Sequence, residues 1–373
     1  MLEILFWVCA GLLTWTYVGY PGVLLARGAR APQRLQPALA EPPAVAAVLA
    51  VRNAELLLPA RVANLLAQDY PADRLAVAIV MNGCTDRTRD VAERLAAEHA
   101  GRITVLESPA AEGKAGALNR GVAAAAAADV IVFADARQTF APDVVRRLAA
   151  AVLQPGVGAV SGRLQIAAGD AAGAEGMRRY WSVETRLREA ESRTGSVMGV
   201  TGAIYAIRRD AFVPIPAGTI LDDVYLPLQI VLDGRRVLLD PGAVAFDTAS
   251  GTEASEYRRK VRTLLGNLQL VRLDPRLVQP WRGSLFFRFI SHKLLRVFTP
   301  LFVMGMAGTG VLLGGPVYLT AALGILAVLL LGAAGLLFSL RPLAVPAALL
   351  MIQIAALDAL FRPRRGAEQV WHG

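Results

Sequence analysis

At 373 residues the chain exceeds one small domain, and its mean hydropathy of +0.45 is high for a soluble enzyme. The formal charge of +9 would suit nucleic acid, but no basic run interleaved with aromatics and no nucleic-acid motif is present, so juxtamembrane arginines and an anionic substrate account for it. The 2 cysteines, Cys9 and Cys84, exclude a disulfide framework and a cysteine metal site, which fits a reducing cytoplasmic face.

The chain opens on an uncharged stretch from Ile4 to Ala26, long enough to span a bilayer. Arg27, Arg30 and Arg34 follow it and only Glu3 precedes it. The charge bias therefore places the N-terminus outside and residue 27 onward in the cytoplasm. A cleaved signal peptide is the alternative, because Ala38-Leu39-Ala40 resembles a cleavage site; the apolar stretch is too long for one and lacks a basic flank. Residues 1–27 are read as a membrane helix and 28–43, with Pro32, Pro37, Pro42 and Pro43, as a linker.

Strands and helices then alternate. Val45 to Val51 reads as a buried strand, with Asn53 as N-cap of a helix from Glu55 to Gln68. Leu75 to Met81 is the next strand, closed by Asn82-Gly83-Cys84-Thr85-Asp86, and a helix follows to Ala100. Ile103 to Glu107 is a third strand, residues 114–128 an Ala-rich helix, and Val130 to Phe133 a fourth strand. Another helix starts at Pro142 and a fifth strand at Gly158. Such alternation implies an α/β fold with a mostly parallel sheet covered on both faces. Residues 170–194 read as a polar helix with Trp181, Glu184, Arg188 and Glu191 near one side. Thr201 to Arg209, the pair Asp222-Asp223 and a βα-like patch from Val237 to Asp247 follow. Leu285 to Arg296 has the look of an interfacial amphipathic helix. Three nearly uncharged spans complete the chain, about Val297 to Leu313, Val317 to Leu340 and Leu343 to Phe361, with Asp358 the exception. Four crossings would put the tail (Arg362, Arg364, Arg365) outside, against the charge rule, so one C-terminal segment is expected to be re-entrant or interfacial.

The chemistry concentrates in a few motifs. Gly113-Lys114-Ala115-Gly116-Ala117-Leu118-Asn119 is followed by Asp135, which ends a buried apolar run. Ligands of open α/β sheets sit beyond the carboxyl ends of strands, so Asp135 and Lys114 suit a divalent metal and a phosphate group respectively. Lysine is scarce: only Lys114, Lys260 and Lys293 occur among 39 basic residues, so a retained lysine favours a compact point charge, with chance as the alternative. Asn82 stands where a polar side chain can read a base edge, whereas Asp86 is accounted for equally by helix capping. Asp222 and Asp223, adjacent carboxylates in an apolar frame, raise one another's pKa, so that one serves as general base and the other as a cap. Arg258, Arg259 and Lys260 suit a departing diphosphate or anionic lipid.

These segments, in this order, resemble the family 2 glycosyltransferases of bacterial inner membranes, which include cellulose, hyaluronan and exopolysaccharide synthases. The resemblance runs from about residue 44 to 275 and implies a GT-A fold (Rossmann-like, mostly parallel sheet), cytoplasmic and flanked by membrane helices. It divides the rest into an interfacial segment (276–296), membrane helices (297–362) and a tail (363–373). It implies a nucleotide-sugar donor bound by Arg52, Asn53, Asn82, Asp86, Lys114, Asn119 and Arg137, with Asn82 replacing the usual Asp of a UDP site. Asp135 would hold Mg²⁺ or Mn²⁺ as the first carboxylate of a DxD motif whose third position is Arg137. Asp223 would be the catalytic base beside Asp222, and Arg258, Arg259 and Lys260 would meet the leaving diphosphate. The processive synthases carry QxxRW there; this chain reads Glu256-Tyr257-Arg258-Arg259-Lys260, without Gln or Trp, so limited transfer is favoured over polymer synthesis. The implied partners are the donor, a lipid-linked or nascent glycan acceptor, the membrane, and subunits of a polysaccharide assembly system, with no nucleic acid. A processive exopolysaccharide synthase, a membrane-anchored nucleotidyltransferase and a non-catalytic nucleotide- or glycan-binding scaffold are the alternatives.

Overall fold

The computed structural model describes residues 1–31, 41–166, 174–247, 253–338 and 340–361. In chain order the elements are α1 (Leu2–Arg30, with a one-turn π segment at Trp15–Gly19), β1 (Val45–Val51), α2 (Leu58–Leu66), β2 (Leu75–Asn82) and α3 (Thr88–Glu98). Then come β3 (Ile103–Ser108), α4 (Gly113–Ala124), β4 (Val130–Ala134), β5 (Thr139–Phe140), α5 (Val144–Val152) and β6 (Val157–Ile166). Next are α6 (Ala174–Thr194), β7 (Ile204–Arg208), α7 (Asp222–Leu232), β8 (Arg236–Asp247) and α8 (Glu253–Leu273). The C-terminal helices are α9 (Ser284–Leu313), α10 (Pro316–Phe338) and α11 (Ala344–Phe361).

The chain divides into two compact units, one of residues 31–167 and 188–249, the other of residues 1–30, 168–187 and 250–373. α8 and the start of α6 fall in the unit that holds the apolar helices. Part of the 28–43 linker, including Ala38-Leu39-Ala40, and the 363–373 tail lie outside the described residues.

The first unit is built on a sheet in the order β3-β2-β1-β4-β7-β6-β8-β5. β3, β2, β1 and β4 run parallel; the central β1 and β4 are uninterrupted apolar runs, as strands covered on both faces require, while the edge strand β3 carries Thr104, Glu107 and Ser108. The sheet is mixed and mostly parallel as expected: β6 also runs parallel to β8, whereas β7 runs antiparallel to both β4 and β6, and β5 antiparallel to β8. The register Ala134↔Ile204 therefore sets the start of β7 beside the end of β4. Leu49, Ile79, Val132 and Leu148 pack on one face of the sheet. Val48, Phe133, Tyr205 and Leu226 pack on the other. Helix α4 approaches the sheet through Gly121, where a Cβ would come 2.4 Å from Val48, so only glycine allows that distance. The expected N-cap at Asn53 is not formed. Asn53 adopts a left-handed φ of 49°, and α2 begins five residues later with Pro59 in its first turn.

The second unit joins α1 and α9 antiparallel. Phe6 meets Tyr318 edge-on at 4.9 Å, Tyr17 Oη donates to Thr299 Oγ1 at 3.4 Å, and Trp15 Nε1 to Ser291 Oγ at 3.1 Å. The expected separate interfacial helix at 285–296 is instead continuous with the following span as α9, passing through a π turn at Ile290–Leu294. α10 starts against the end of α9, where Gly310 lies under the Tyr318 carbonyl, and α10 turns back on α11 through Gly332 and Gly335. The far end of α11 lies level with the start of α9. Ala355, Ala356 and Ala359 cluster with Val261, Leu264 and Val297, and Tyr257 Oη donates to Asp358 Oδ2 at 3.0 Å. The charge on the last apolar helix is thus met by a side chain of α8. Four helices are long and apolar enough to cross a membrane, by length and composition.

Candidate active site

The parallel register ends β1, β2 and β4 along one edge, where Asn82 closes β2 and Arg52, Asn53, Asp86, Asp135 and Arg137 lie on the loops. Two of them are stitched together. Asn53 Oδ1 accepts from Thr85 N at 2.8 Å, Thr88 Oγ1 accepts from Ala54 N at 2.7 Å, and Asp86 accepts from Glu55 N and from Thr88 N and Oγ1. The Thr88 hydroxyl, with the backbone donors, holds the Asp86 carboxyl below its ordinary value. Asp86 and Asn53 are therefore loop anchors in this structure, and Arg52 lies exposed between them. Asn82 differs: its Oδ1 is buried with no hydrogen-bond partner. A buried orphan acceptor is uncommon and costly, and its position at a strand end suits an N–H of a ligand.

The charged centre lies one strand further along. Lys114, in the first turn of α4, places Nζ 2.9 Å from Asp135 Oδ1 and 4.0 Å from Asp222 Oδ2. Burial alone would lower the Lys114 ammonium, but Asp135, then Asp222 and Asp223, outweigh it and hold it above the ordinary lysine value. Asp222 and Asp223 open α7, where the helix dipole favours negative charge. They diverge: Asp222 is 6% exposed with Oδ2 lacking a hydrogen bond, whereas Asp223 is half-buried. Asp223 packs against Gly202, where a Cβ would come 3.1 Å from its Oδ2, and its carbonyl accepts from Val200 N. The segment before β7 is in turn tied down by Arg188, which donates to Ser161 Oγ, Thr201 Oγ1 and the Gly199 carbonyl.

Two expected binding residues have other partners. The Asn119 amide clamps Ile215, donating to its carbonyl and accepting from its N–H at 2.9 Å each. Arg137 pairs with Asp247 Oδ2 at 2.7 Å, a buried carboxylate at the end of β8 that also accepts from Gln138 Nε2. Arg258, Arg259 and Lys260 lie on α8 in the other unit, with Arg258 exposed and Arg259 bonded to Glu256. Burial first, with Arg259 and Arg296, pulls the Lys260 ammonium below its ordinary value.

Sequence reasoning missed Tyr205. Its ring stacks on Phe133 at 4.5 Å, and burial, then Asp222, Asp223 and Asp135, push the phenol well above its ordinary value. The antiparallel pairing of Phe133 with Tyr205 brings it there, and no local pattern announced that pairing. Among the described residues no group of three or more His, Cys, Asp or Glu side chains converges as a metal cage. The hard oxygens of Asp135 and the orphan Asp222 Oδ2 fit instead a cation held by one or two carboxylates and completed by a substrate's phosphates.

The mixed, mostly parallel sheet with its covering helices is a GT-A fold. Residues 46–214 match the family model "Glycosyl transferase family 2", and the chain carries a glycosyltransferase domain of that family. The chain is 31% identical over 269 residues to an N-acetylglucosaminyltransferase of Rhizobium meliloti, covering 68% of this chain and 58% of the relative. It is 27% identical over 245 residues to a beta-monoglucosyldiacylglycerol synthase of Synechocystis, covering 62% and 51% respectively. This chain thus spans roughly half the length of the curated relatives it matches. A solved mannosyltransferase from Pyrobaculum calidifontis, in complex with GDP-Man and Mn²⁺, shares the fold at a TM-score of 0.73 and 23% identity, covering 96% of this chain and 99% of that one.

Proposed function

We propose that the protein is an inverting glycosyltransferase that moves a sugar from a nucleoside-diphosphate donor, a UDP-sugar in the first instance, to a lipid-linked or nascent glycan acceptor at the cytoplasmic face of a bacterial inner membrane. One observation carries the reading: Lys114, Asp135 and Asp222 converge within 4.0 Å at the end of β4, with Asp223 beside them. The orphan Asn82 Oδ1 adds an acceptor for a nucleobase N–H.

Asp223 takes the proton of the acceptor hydroxyl as its oxygen attacks the anomeric carbon. The bond to the donor's diphosphate breaks on the opposite face, and the nucleoside diphosphate leaves with the electron pair. Direct displacement needs no carboxylate as covalent nucleophile. Lys114 turns its ammonium to the diphosphate. Asp135 would hold Mg²⁺ or Mn²⁺, which would supply charge neutralisation for the diphosphate. Arg137 is a weaker donor ligand, since Asp247 already holds its charge. Among the relatives are an N-acetylglucosaminyltransferase and a beta-monoglucosyldiacylglycerol synthase, names that support a hexosyl donor and an acceptor at the membrane. Exopolysaccharide assembly, with partner subunits, is the setting in which such an acceptor arises.

The test is product identity. Detergent-purified protein with a nucleotide-sugar panel, Mg²⁺ or Mn²⁺ and a lipid extract is expected to release nucleoside diphosphate from one donor. Pyrophosphate release would transfer the assignment to a nucleotidyltransferase.

A further inference from the structure

The least expected charge in the sheet unit is Arg61, on the apolar face of α2. It is 2% exposed, one turn from Leu58 and Leu65, both fully buried. Its NH1 donates to Asn64 Oδ1 at 2.7 Å, and its guanidinium carbon lies 3.9 Å over the Phe140 ring. Its Nε and NH2 are buried without any hydrogen-bond partner. Among the described residues no carboxylate pairs with it, and burial pulls the guanidinium down to about 10, with the charge of Asp135 opposing. A guanidinium with two unsatisfied buried donors is destabilising, and a hydrophobic residue of similar volume is usually tolerated in such a place.

The neighbours of Arg61 give that cost a purpose. Asn64 grips Phe140 at both ends, accepting from its N–H at 2.9 Å and donating to its carbonyl at 3.0 Å. Arg61 and Asn64 together therefore seat the segment from Asp135 to Phe140, which carries Asp135, Arg137 and Gln138. Asp135 now has the Lys114 ammonium as its counter-charge. In the transfer reaction that ammonium turns to the donor's diphosphate, so the place of Asp135 rests on the segment that Arg61 and Asn64 hold.

We propose that Arg61 is a positioning residue of the donor site, a fixed buried cation that with Asn64 holds Phe140 and so seats the Asp135–Phe140 segment for a nucleoside diphosphate. The inference rests on the donor-site reading above. Arg61 touches no substrate; it acts through Asp135 and Phe140. Stability is given up at this position for binding.

The experiment measures thermal stability and nucleoside-diphosphate affinity, with Mg²⁺, of full-length wild type, Arg61→Met and Arg61→Lys in detergent. Arg61→Met removes both orphan donors and leaves Asn64 Oδ1 still accepting from Phe140, so its melting temperature is expected to equal or exceed wild type. Its affinity for the nucleoside diphosphate is expected to fall about tenfold as the Asp135–Phe140 segment loses its stack on Arg61. Arg61→Lys keeps the charge without the planar stack and is expected to fall between the two in affinity. A merely structural arginine would give the reverse: Arg61→Met melting lower, or failing to fold, with Arg61→Lys binding as tightly as wild type. That result overturns the proposal, as does unchanged affinity in a folded Arg61→Met. Wild type that binds no nucleoside diphosphate would instead refute the donor-site reading itself.

Discussion

Replacing Lys114 by Met tests the charged centre directly. The ammonium makes one charge-assisted hydrogen bond of 2.9 Å to Asp135 and lies 4.0 Å from Asp222. Loss of a hydrogen bond to a charged group costs about 1.5–3 kcal/mol. Asp222, buried with its Oδ2 already lacking a hydrogen bond, then loses its cation, which brings the total to about 3 kcal/mol. For a domain of this size that is a fall in melting temperature of about 6–12 °C. The pH dependence follows from the raised folded value of Lys114. A raised lysine contributes stability that is fully present below its unfolded value, about 10.4, and is lost as pH rises through the folded value. The difference between Lys114→Met and wild type is therefore expected to be flat from about pH 6 to 9 and to shrink only in strong alkali. Thermal melts in detergent across that range, with circular dichroism as readout, measure it. A melting temperature within about 2 °C of wild type, or a difference that grows with alkalinity, would refute the ion-pair reasoning.

Two further outcomes are expected. Glu184 accepts from His292 at 3.0 Å and Arg296 at 3.1 Å; burial would raise its carboxyl, but His292, then Arg296 and Lys293, hold it well below the ordinary range. Glu184→Ala is expected to cost about 3 kcal/mol near neutral pH, with the deficit shrinking as pH falls through the depressed folded value, checked by melts from acid to neutral. Because Asp358 meets Tyr257 and Gln353 meets Thr299, a topology reporter after Phe361 is expected on the same membrane side as one after Arg30; the opposite side would contradict the packing of α11 on α8.

Much of the fold was legible where it depended on local pattern. The run from Val45 to Val51 has no polar residue and could only be a doubly covered strand. Asp135 and Lys114 were legible because a strand end and a glycine-flanked turn announce themselves in sequence. The antiparallel entry of β7 was not, since nothing within Ile204–Arg208 encodes which strand it pairs with. The partners of Arg137 and Asn119 were hidden for the same reason: Asp247 and Ile215 are 110 and 96 residues away. The conflict over the tail came from counting spans by composition, which is blind to the hydrogen bond between Asp358 and Tyr257. Arg61 did leave a signal, because it sits at helical spacing between Leu58 and Leu65 and so faces the core.

The central claim, sugar transfer with Asp223 as base, is tested most directly by comparing wild type with Asp223→Asn in the nucleoside-diphosphate release assay, with donor affinity measured in parallel. Asp223→Asn is expected to bind the donor as wild type does while its turnover falls about 10²-fold or more, the contribution of a positioned general base. Turnover retained in Asp223→Asn at wild-type donor affinity would contradict the account.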